Sequence, residues 1–206
     1  ALQTEDSRFH GRADVPELNQ SFYQAPAVFP AGACFMRCRM PKIDQGVDRS
    51  RYQLIPRTLI FVNRGEKVLL LKGAETKRIW AGKYNGIGGH IEQGEDAAGA
   101  ALRELVEETG LRVNDLRLCG TLIVDASPGV GIGIYIFRAR YSGGDLKESP
   151  EGILEWHSMD DLDHLRLVED LPVLLPRVMA MQPDSAPFSA RSFYDEHGRI
   201  QVVFAG

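Results

Sequence analysis

The second half of residues 89–111, which read GHIEQGEDAAGAALRELVEETGL, contains the charged residues Arg103, Glu104, Glu107 and Glu108. This stretch predicts one helix, and residues three or four apart on a helix share a face, so the three glutamates should point the same way. The opposite, buried face is predicted to hold Ala98, Ala101, Leu102, Leu105 and Val106. Clustered carboxylates are the ligands that Mg²⁺ or Mn²⁺ prefers, and such an ion can bridge to substrate phosphates. An ordinary solvated helix with an acidic face is the alternative.

A glycine-rich turn comes immediately before this helix. It contains Gly86, Gly88 and Gly89, and glycine lets a backbone approach a ligand closely. Together with Glu95, the whole pattern reads G-x₅-E-x₇-R-E-L-V-E-E-T-G-L, and the helix is predicted to end at Gly110. This pattern resembles the Nudix box, with every defining position filled. A chance match in a chain of this size is on the order of one in a million or less.

The resemblance implies an α/β fold, the Nudix α/β/α sandwich, in which a mixed sheet lies between helices. It also implies hydrolysis of a nucleoside diphosphate linked to another group, with Mg²⁺ or Mn²⁺ as the cofactor. The residues that would bind the metal are Glu104, Glu107, Glu108 and the carbonyl of Gly88, with Glu95 as an outer ligand or as an ion-pair partner of Arg103. By the same resemblance Glu104 and Glu107 would be catalytic, and Arg103 would orient Glu107.

The segment before the box narrows the resemblance. Residues 83–89, KYNGIGG, are similar to the Trp-Asn-Gly-Phe-Gly-Gly segment of the MutT-type branch, which hydrolyses oxidised purine nucleoside triphosphates; here Tyr84 replaces the tryptophan. In that branch the asparagine contacts the purine base, so Asn85 would read a base edge with its amide. An asparagine that stabilises a tight turn is the alternative.

Acidic residues after the box carry two further expectations from the resemblance. Glu151 lies in a loop similar to the second acidic loop of the branch, where a glutamate supports the metal or activates water; a solvated loop carboxylate is the alternative. Glu169 and Asp170 open a predicted helix, near the place where an acidic pair of the branch contacts the base, with an offset of about one residue.

Cations surround the predicted loop at residues 73–84. Lys72, Lys77, Arg78 and Lys83 lie in or beside it. In isolation these are solvated charges, but beside an acidic metal site they can meet substrate phosphates. Lys72, at the end of a predicted strand, is the favoured phosphate contact. His90, inside the box, is a second candidate for such a contact.

The composition is that of a globular protein of 206 residues, with 44% hydrophobic and 25% charged residues. A net charge of −4 and a pI near 5.8 argue against broad nucleic-acid binding, although not against nucleotides. No apolar run approaches the length of a membrane span, and the first residues, ALQTEDSRFHGR, lack the apolar core of a secretory signal. Three cysteines are typical of a reducing compartment, so we expect a cytoplasmic protein. The resemblance implies a small-molecule nucleotide as its partner.

The remaining elements follow from periodicity and turn residues. A hairpin is expected over residues 52–72, strands over 115–125, 132–141 and 153–159, the last being the final sheet strand, and a C-terminal hairpin over 193–204 with its turn at 197–198. A second helix is expected over 168–181, with Pro172 in its first turn and a kink or break at Pro176. Asp160 and Asp161 should cap a short turn or helix.

Two segments are predicted, a Nudix domain at residues 51–206 and an N-terminal extension at residues 1–50. The extension contains several prolines and five aromatic residues, so we expect it to pack on the core or on a second subunit, which would make a homodimer. Cys34 and Cys38, with His10 nearby, are a weak zinc pattern, and burial as small hydrophobic residues is favoured for the cysteines.

The function predicted from all of this is hydrolysis of a purine nucleoside triphosphate, including an oxidised one such as 8-oxo-dGTP, to the monophosphate and pyrophosphate. ADP-ribose or a nucleotide sugar is the alternative substrate, favoured by the extra N-terminal segment and by Pro128, which lies 17 residues after Leu111. A nucleotide sensor that binds without cleaving is the alternative outside enzymes. The intact set of glutamates argues against it.

Overall fold

The computed structural model describes residues 46–205. The predictions for the N-terminal extension, for Cys34, Cys38 and His10, and for a homodimer built on that extension fall outside these residues and stay predictions. Among the helices in residues 46–205, none is long and apolar enough to cross a membrane.

One mixed sheet of eight strands forms the centre of the fold. The strands are β1 (Gln53–Arg64), β2 (Lys67–Gly73), β3 (Tyr84–Asn85), β4 (Arg112–Ser127), β5 (Val130–Gly143), β6 (Gly152–Ser158), β7 (Phe188–Tyr194) and β8 (Ile200–Phe204). Their order is β3-β2-β1-β5-β4-β7-β8, and β6 also pairs with β2. Two α-helices, α1 (Ala97–Thr109) and α2 (Leu171–Ala180), and a 3₁₀ helix (Met159–His164) complete the described fold.

Alternation along the central strands gives the sheet two apolar faces. In β1, Leu59 and Phe61 point into one core, which contains the apolar residues of α2. The intervening Ile60 and Val62 point into the other core, which contains Ala101 and Leu105 of α1. Because successive side chains of a strand point to opposite faces, one continuous apolar run can serve both cores. The predicted α/β/α sandwich is therefore confirmed.

Local capping defines α1 at both ends. The carboxylate of Asp96 accepts hydrogen bonds from the backbone N–H groups of Ala98 and Gly99, at 2.9 Å each. Gly110 ends the helix in the left-handed conformation, with φ of 73°, which glycine adopts without steric cost. The predicted end of the helix is confirmed, but Val106 is 48% exposed, so its assignment to the buried face was wrong.

The three glutamates of α1 also do not share one environment. Side chains of Glu104 and Glu107 are 16% and 60% exposed, respectively, whereas Glu108 is half-buried. A helix turns by about 100° per residue, so Glu107 and Glu108 project in clearly different directions. The three glutamates therefore differ in burial, although Glu104 and Glu107 both accept hydrogen bonds from Nη1 of Arg103.

The first hairpin forms where it was predicted, but its strands separate after the turn. β1 pairs with β2 only from Val62 to Arg64, and most of β1 pairs in parallel with β5. β2 instead pairs along its length with β6. The last predicted sheet strand, β6, is not the last, because the C-terminal hairpin β7–β8 joins the same sheet through a parallel pairing of β7 with β4.

The second half of the chain differs from the predictions in two other places. The α2 helix begins with Pro172 in its first turn, as expected, and continues through Pro176 without a break. The predicted cap at residues 160–161 is a capping box in the 3₁₀ helix, formed by Ser158 and Asp161.

Candidate active site

A cleft of about 410 Å³ lies where α1, the glycine segment, β3 and two loops meet. Its lining consists of Arg57, Leu71, Gly73, Lys77, Ile79, Trp80, Lys83, Asn85, Gly86, Gly88, Gly89, His90, Glu92, Glu104, Glu108 and Glu151. A larger cavity of about 600 Å³ lies beside it, between Lys83, the 3₁₀ helix and α2, and its one carboxylate is that of Asp163. The smaller cleft is the better candidate for a catalytic site, because four glutamates and several cations line it.

Two glycines of the cleft leave room for close contacts with neighbouring atoms. Gly88 has φ of 151°, and a Cβ atom at this position would lie 2.1 Å from the carbonyl oxygen of Thr58 in β1. At Gly89, a Cβ atom would lie 2.4 Å from Oε1 of Glu104. The backbone of this segment is held to β1, with Thr58 N donating to the Gly89 carbonyl at 2.9 Å. The first glycine therefore accommodates the neighbouring strand, and the second accommodates a carboxylate of the cleft.

Arg103 connects the acidic residues of the box. Its guanidinium donates to both carboxylate oxygens of Glu95, at 2.7 and 3.0 Å, and its Nη1 donates to Glu104 at 2.9 Å and to Glu107 at 3.0 Å. Nη2 also donates to the carbonyl of His90, at 3.0 Å. Hydrogen bonds from Arg103 and from the backbone of Glu92 lower the pKa of Glu95 to about 2. Of the two roles implied for Glu95, this contact is the ion pair with Arg103.

Glu108 is the most perturbed carboxylate of the cleft. Burial, together with the nearby charges of Glu104 and Glu151, raises the pKa of Glu108 to about 7. Its Oε2 atom is buried and has no hydrogen-bond partner among the described residues. A buried, unpartnered carboxylate oxygen beside two further carboxylates is a set of hard oxygen donors, and it fits a divalent cation chemically.

Ion pairs, however, engage several carboxylates in and beside the cleft. Within residues 46–205, no three carboxylate, imidazole or thiol side chains converge closely enough to form a metal centre as they stand. Glu104 and Glu107 are engaged by Arg103, and Glu151 is engaged by Lys77. A divalent cation that approached Glu151 would compete with its lysine partner.

Glu151 reaches the cleft from the loop before β6. Its carbonyl accepts a hydrogen bond from Ala74 N at 3.0 Å, which ties this loop to the one that carries Lys77. The next residue, Gly152, has φ of 151°, and a Cβ atom there would lie 2.0 Å from the carbonyl oxygen of Lys72. The close approach of the two loops thus places the Glu151 carboxylate beside Glu104 and Glu108.

Asn85 lies in the short strand β3, opposite Leu71 of β2, and lines the cleft. Its Oδ1 accepts a hydrogen bond from Gly86 N at 2.8 Å. This is the kind of local contact expected if the asparagine stabilises a tight turn. The preceding residue is held firmly, because the Tyr84 hydroxyl donates to Glu155 at 2.5 Å and its ring meets His157 edge-on at 4.9 Å. That hydrogen bond raises the pKa of Tyr84 to about 12.

Three other predicted substrate residues lie outside the lining of the cleft. Lys72 points to the α2 side of the sheet, with Nζ at 5.9 Å from the centre of the Tyr84 ring, so its predicted phosphate contact is not supported by its position. Glu169 forms an ion pair with Lys83. Asp170 begins α2 without a side-chain cap, and burial raises its pKa. Neighbouring positions on a strand face opposite sides, which is why Lys72 misses the cleft while Leu71 lines it.

Sequence reasoning missed some residues of the cleft. Arg57 lines it and donates from Nε to His90 Nε2 at 3.2 Å, and Ile79 and Trp80 contribute apolar surface. A signal for Arg57 was present, since it is a lone charge in the apolar run LIPRTLIFV. The side on which it would lie depends on strand pairing, which the run does not reveal.

Residues 54–178 match the family model described as the NUDIX domain. Mouse oxidized purine nucleoside triphosphate hydrolase is 33% identical over 126 residues, which cover 58% of this chain and 79% of that protein. The NAD-capped RNA hydrolase NudC of Pseudomonas syringae pv. tomato is 31% identical over 115 residues, and the chain spans 39% of its length. The mMutator MutT protein of Bacillus halodurans has a similar fold, with a TM-score of 0.62 and 24% identity over 73% of this chain and 97% of that one. The chain therefore belongs to the Nudix family, and it is a Nudix pyrophosphohydrolase.

Proposed function

We propose that this enzyme uses Mg²⁺ or Mn²⁺ to hydrolyse a purine nucleoside triphosphate, with oxidised purines such as 8-oxo-dGTP among its substrates, to the monophosphate and pyrophosphate. The observation that carries the proposal is that Asn85 lines the same cleft as Glu104 and Glu108. A side chain able to read a base thus lies beside carboxylates able to hold a metal ion. The similarity to the mouse oxidized purine nucleoside triphosphate hydrolase supports the same substrate class.

In this proposal the glutamates bind the metal ion, and Arg103 positions one of them. Glu104, Glu108 and the carbonyl of Gly88 would hold the metal ion, with Glu107 as an exposed further ligand. A bound divalent ion neutralises phosphate charge and lowers the pKa of water. Arg103 keeps Glu104 in place, because the same guanidinium is anchored by Glu95 on its other edge.

Glu151 is proposed as the base that accepts the proton of the attacking water. Its carboxylate lines the cleft and is 47% exposed, so water can reach it. Arg57 and His90, on the rim of the same cleft, would donate hydrogen bonds to phosphate oxygens and help to hold the substrate in line.

Recognition of the base is proposed for Asn85 with Glu169 and Asp170. An amide can both donate to and accept from a purine edge, and a carboxylate can accept from its N–H groups. Segment 166–168 pairs with β3, since Tyr84 N donates to the Arg166 carbonyl and Val168 N donates to the Tyr84 carbonyl. This pairing supports a shared role for Asn85 and the acidic pair, which follows Val168 directly.

A substrate panel tests this proposal. Product release would be measured with Mg²⁺ and with Mn²⁺ for the four deoxynucleoside triphosphates, 8-oxo-dGTP, ADP-ribose, NADH and a diadenosine polyphosphate. We expect preference for a purine triphosphate, with pyrophosphate as a product and with strong loss in Glu104→Gln and Glu107→Gln. Selective cleavage of ADP-ribose would overturn the proposal and favour the alternative. Pro128 gives that alternative little support, because it lies in the tight turn between β4 and β5, where proline is common.

A second comparison separates base recognition from catalysis. Asn85→Ala should raise KM for purine triphosphates and leave cleavage of a pyrimidine triphosphate nearly unchanged, because the loss concerns the base edge alone. Equal losses for both substrate classes would remove Asn85 from base recognition and favour its role in the local turn.

A further inference from the structure

The loop that carries Lys77 is fixed to the sheet at both ends. Gly73 N donates to the Lys83 carbonyl and Gly82 N donates to the Gly73 carbonyl, each at 2.9 Å. Within the loop, Lys77 N donates to the Ala74 carbonyl at 3.0 Å. The backbone position of Lys77 is therefore well defined, while its side chain is long and 33% exposed.

The ammonium group of Lys77 faces the carboxylates of the cleft. It forms an ion pair with Glu151, and its charge partly opposes the rise in the pKa of Glu108. Lys83 also lines the cleft, but it is engaged by Glu169 on the opposite side. The positive charge of Lys77 thus offsets the repulsion between the carboxylates of Glu104, Glu108 and Glu151, which line the same cleft.

A lysine in this position competes with a divalent cation. Both are attracted to the carboxylate of Glu151, so a metal ion that enters the cleft weakens the ion pair between Lys77 and Glu151. Because backbone hydrogen bonds hold the loop beside the cleft, the released ammonium can still reach the cleft. A flexible stem with three N–H donors can then turn toward a phosphate oxygen.

We propose that Lys77 is an exchangeable counter-ion, which neutralises Glu151 in the metal-free protein and binds a substrate phosphate once a divalent cation enters the cleft. This inference rests on the metal-dependent hydrolysis proposed above. It adds a substrate-binding role for a residue that the Nudix box does not contain.

The exchange predicts opposite effects of one substitution. In Lys77→Gln, Mn²⁺ should bind the substrate-free protein about tenfold more tightly, because a competing unit charge a few ångströms away has been removed. A non-hydrolysable nucleoside triphosphate analogue should bind about tenfold more weakly in the presence of Mn²⁺, because a phosphate contact is lost. A lysine that only stabilises the loop would weaken both interactions when replaced.

The experiment is titration calorimetry on the full chain, with Mn²⁺ alone and then with the analogue. Arg78→Gln is the matched control, because it removes the same charge from the next residue, which is exposed and outside the cleft lining. Lys77→Arg should retain analogue binding to within a few fold. In a Glu151→Gln background, Lys77→Gln should raise Mn²⁺ affinity less than it does in the wild-type background, since the ion pair with Glu151 is already absent.

Three results would overturn the inference: unchanged or weaker Mn²⁺ binding in Lys77→Gln, unchanged analogue binding, or an Arg78→Gln variant that behaves identically. Thermal melts of each variant verify folding, and Lys77→Met, which also removes the charge, serves as the test if Lys77→Gln does not fold. Failure of the proposed function is distinguishable, because it would appear as absent Mn²⁺ binding or altered substrate preference in the wild-type protein.

Discussion

Adjacent glycines in the cleft should respond differently to the same substitution. Gly88→Ala would place a methyl group 2.1 Å from the Thr58 carbonyl oxygen, at a φ of 151° that L-residues rarely adopt. Gly89→Ala would place its methyl group 2.4 Å from Oε1 of Glu104, which is the far end of a flexible side chain. The first clash involves rigid backbone, and the second can be relieved by moving a carboxylate.

The expected magnitudes follow from these contacts. Backbone strain at Gly88 costs about 1–3 kcal/mol, and overpacking against β1 costs about 1–3 kcal/mol more. Gly88→Ala should therefore lose roughly 2–6 kcal/mol of a total stability on the order of 5–15 kcal/mol. Gly89→Ala should stay within about 1 kcal/mol of wild type, because a compatible Gly→Ala change slightly stabilises the chain through its unfolded state.

Activity, unlike stability, should be sensitive to Gly89→Ala. To restore ordinary contact, Gly89→Ala must push the Glu104 carboxylate away by about 1 Å, and a displacement of that size can cost about 10²-fold in rate. Urea unfolding followed by tryptophan fluorescence gives the stabilities, and pyrophosphate release with Mg²⁺ gives the rates. A folded Gly89→Ala protein with wild-type activity would refute the argument that Glu104 acts from its position against Gly89.

Other contacts give further predictions. Because the folded pKa of Glu95 (about 2) lies below its usual 4.5, its pairing with Arg103 stabilises the fold above pH 4.5 and is lost as pH falls toward 2. Glu95→Gln should therefore be less stable than wild type near neutral pH, with a difference that shrinks in acid; a constant difference would contradict this. With the pKa of Tyr84 raised to about 12 by Glu155, absorbance titration should detect one late phenol that Tyr84→Phe removes. Arg138 donates to three carbonyls around the C-terminal end of α2, so Arg138→Met should cost about 2–3 kcal/mol in urea unfolding, and wild-type stability would count against that cap.

The sequence alone was sufficient for the features that depend on local rules. The α1 helix, its end at Gly110 and the order of charges along it follow from spacing and capping chemistry within a few residues. The turn of the first hairpin follows in the same way. The sandwich fold and the enzyme family followed from the resemblance of one continuous motif, and the fold and family comparisons confirm both.

Tertiary structure decided what depends on contacts between distant segments. The parallel pairing of β1 with β5 joins Gln53 to Val130, and no local pattern specifies which strand becomes a neighbour. Packing also decides which face of β2 borders the cleft, and Leu71 lies on that face while the adjacent Lys72 lies on the other. The loop that contains Lys77 approaches Glu151 across a gap of more than seventy residues in sequence. Side-chain spacing predicts which residues share a helix face, but burial, ion-pair partners and pKa values arise only when separate elements pack together.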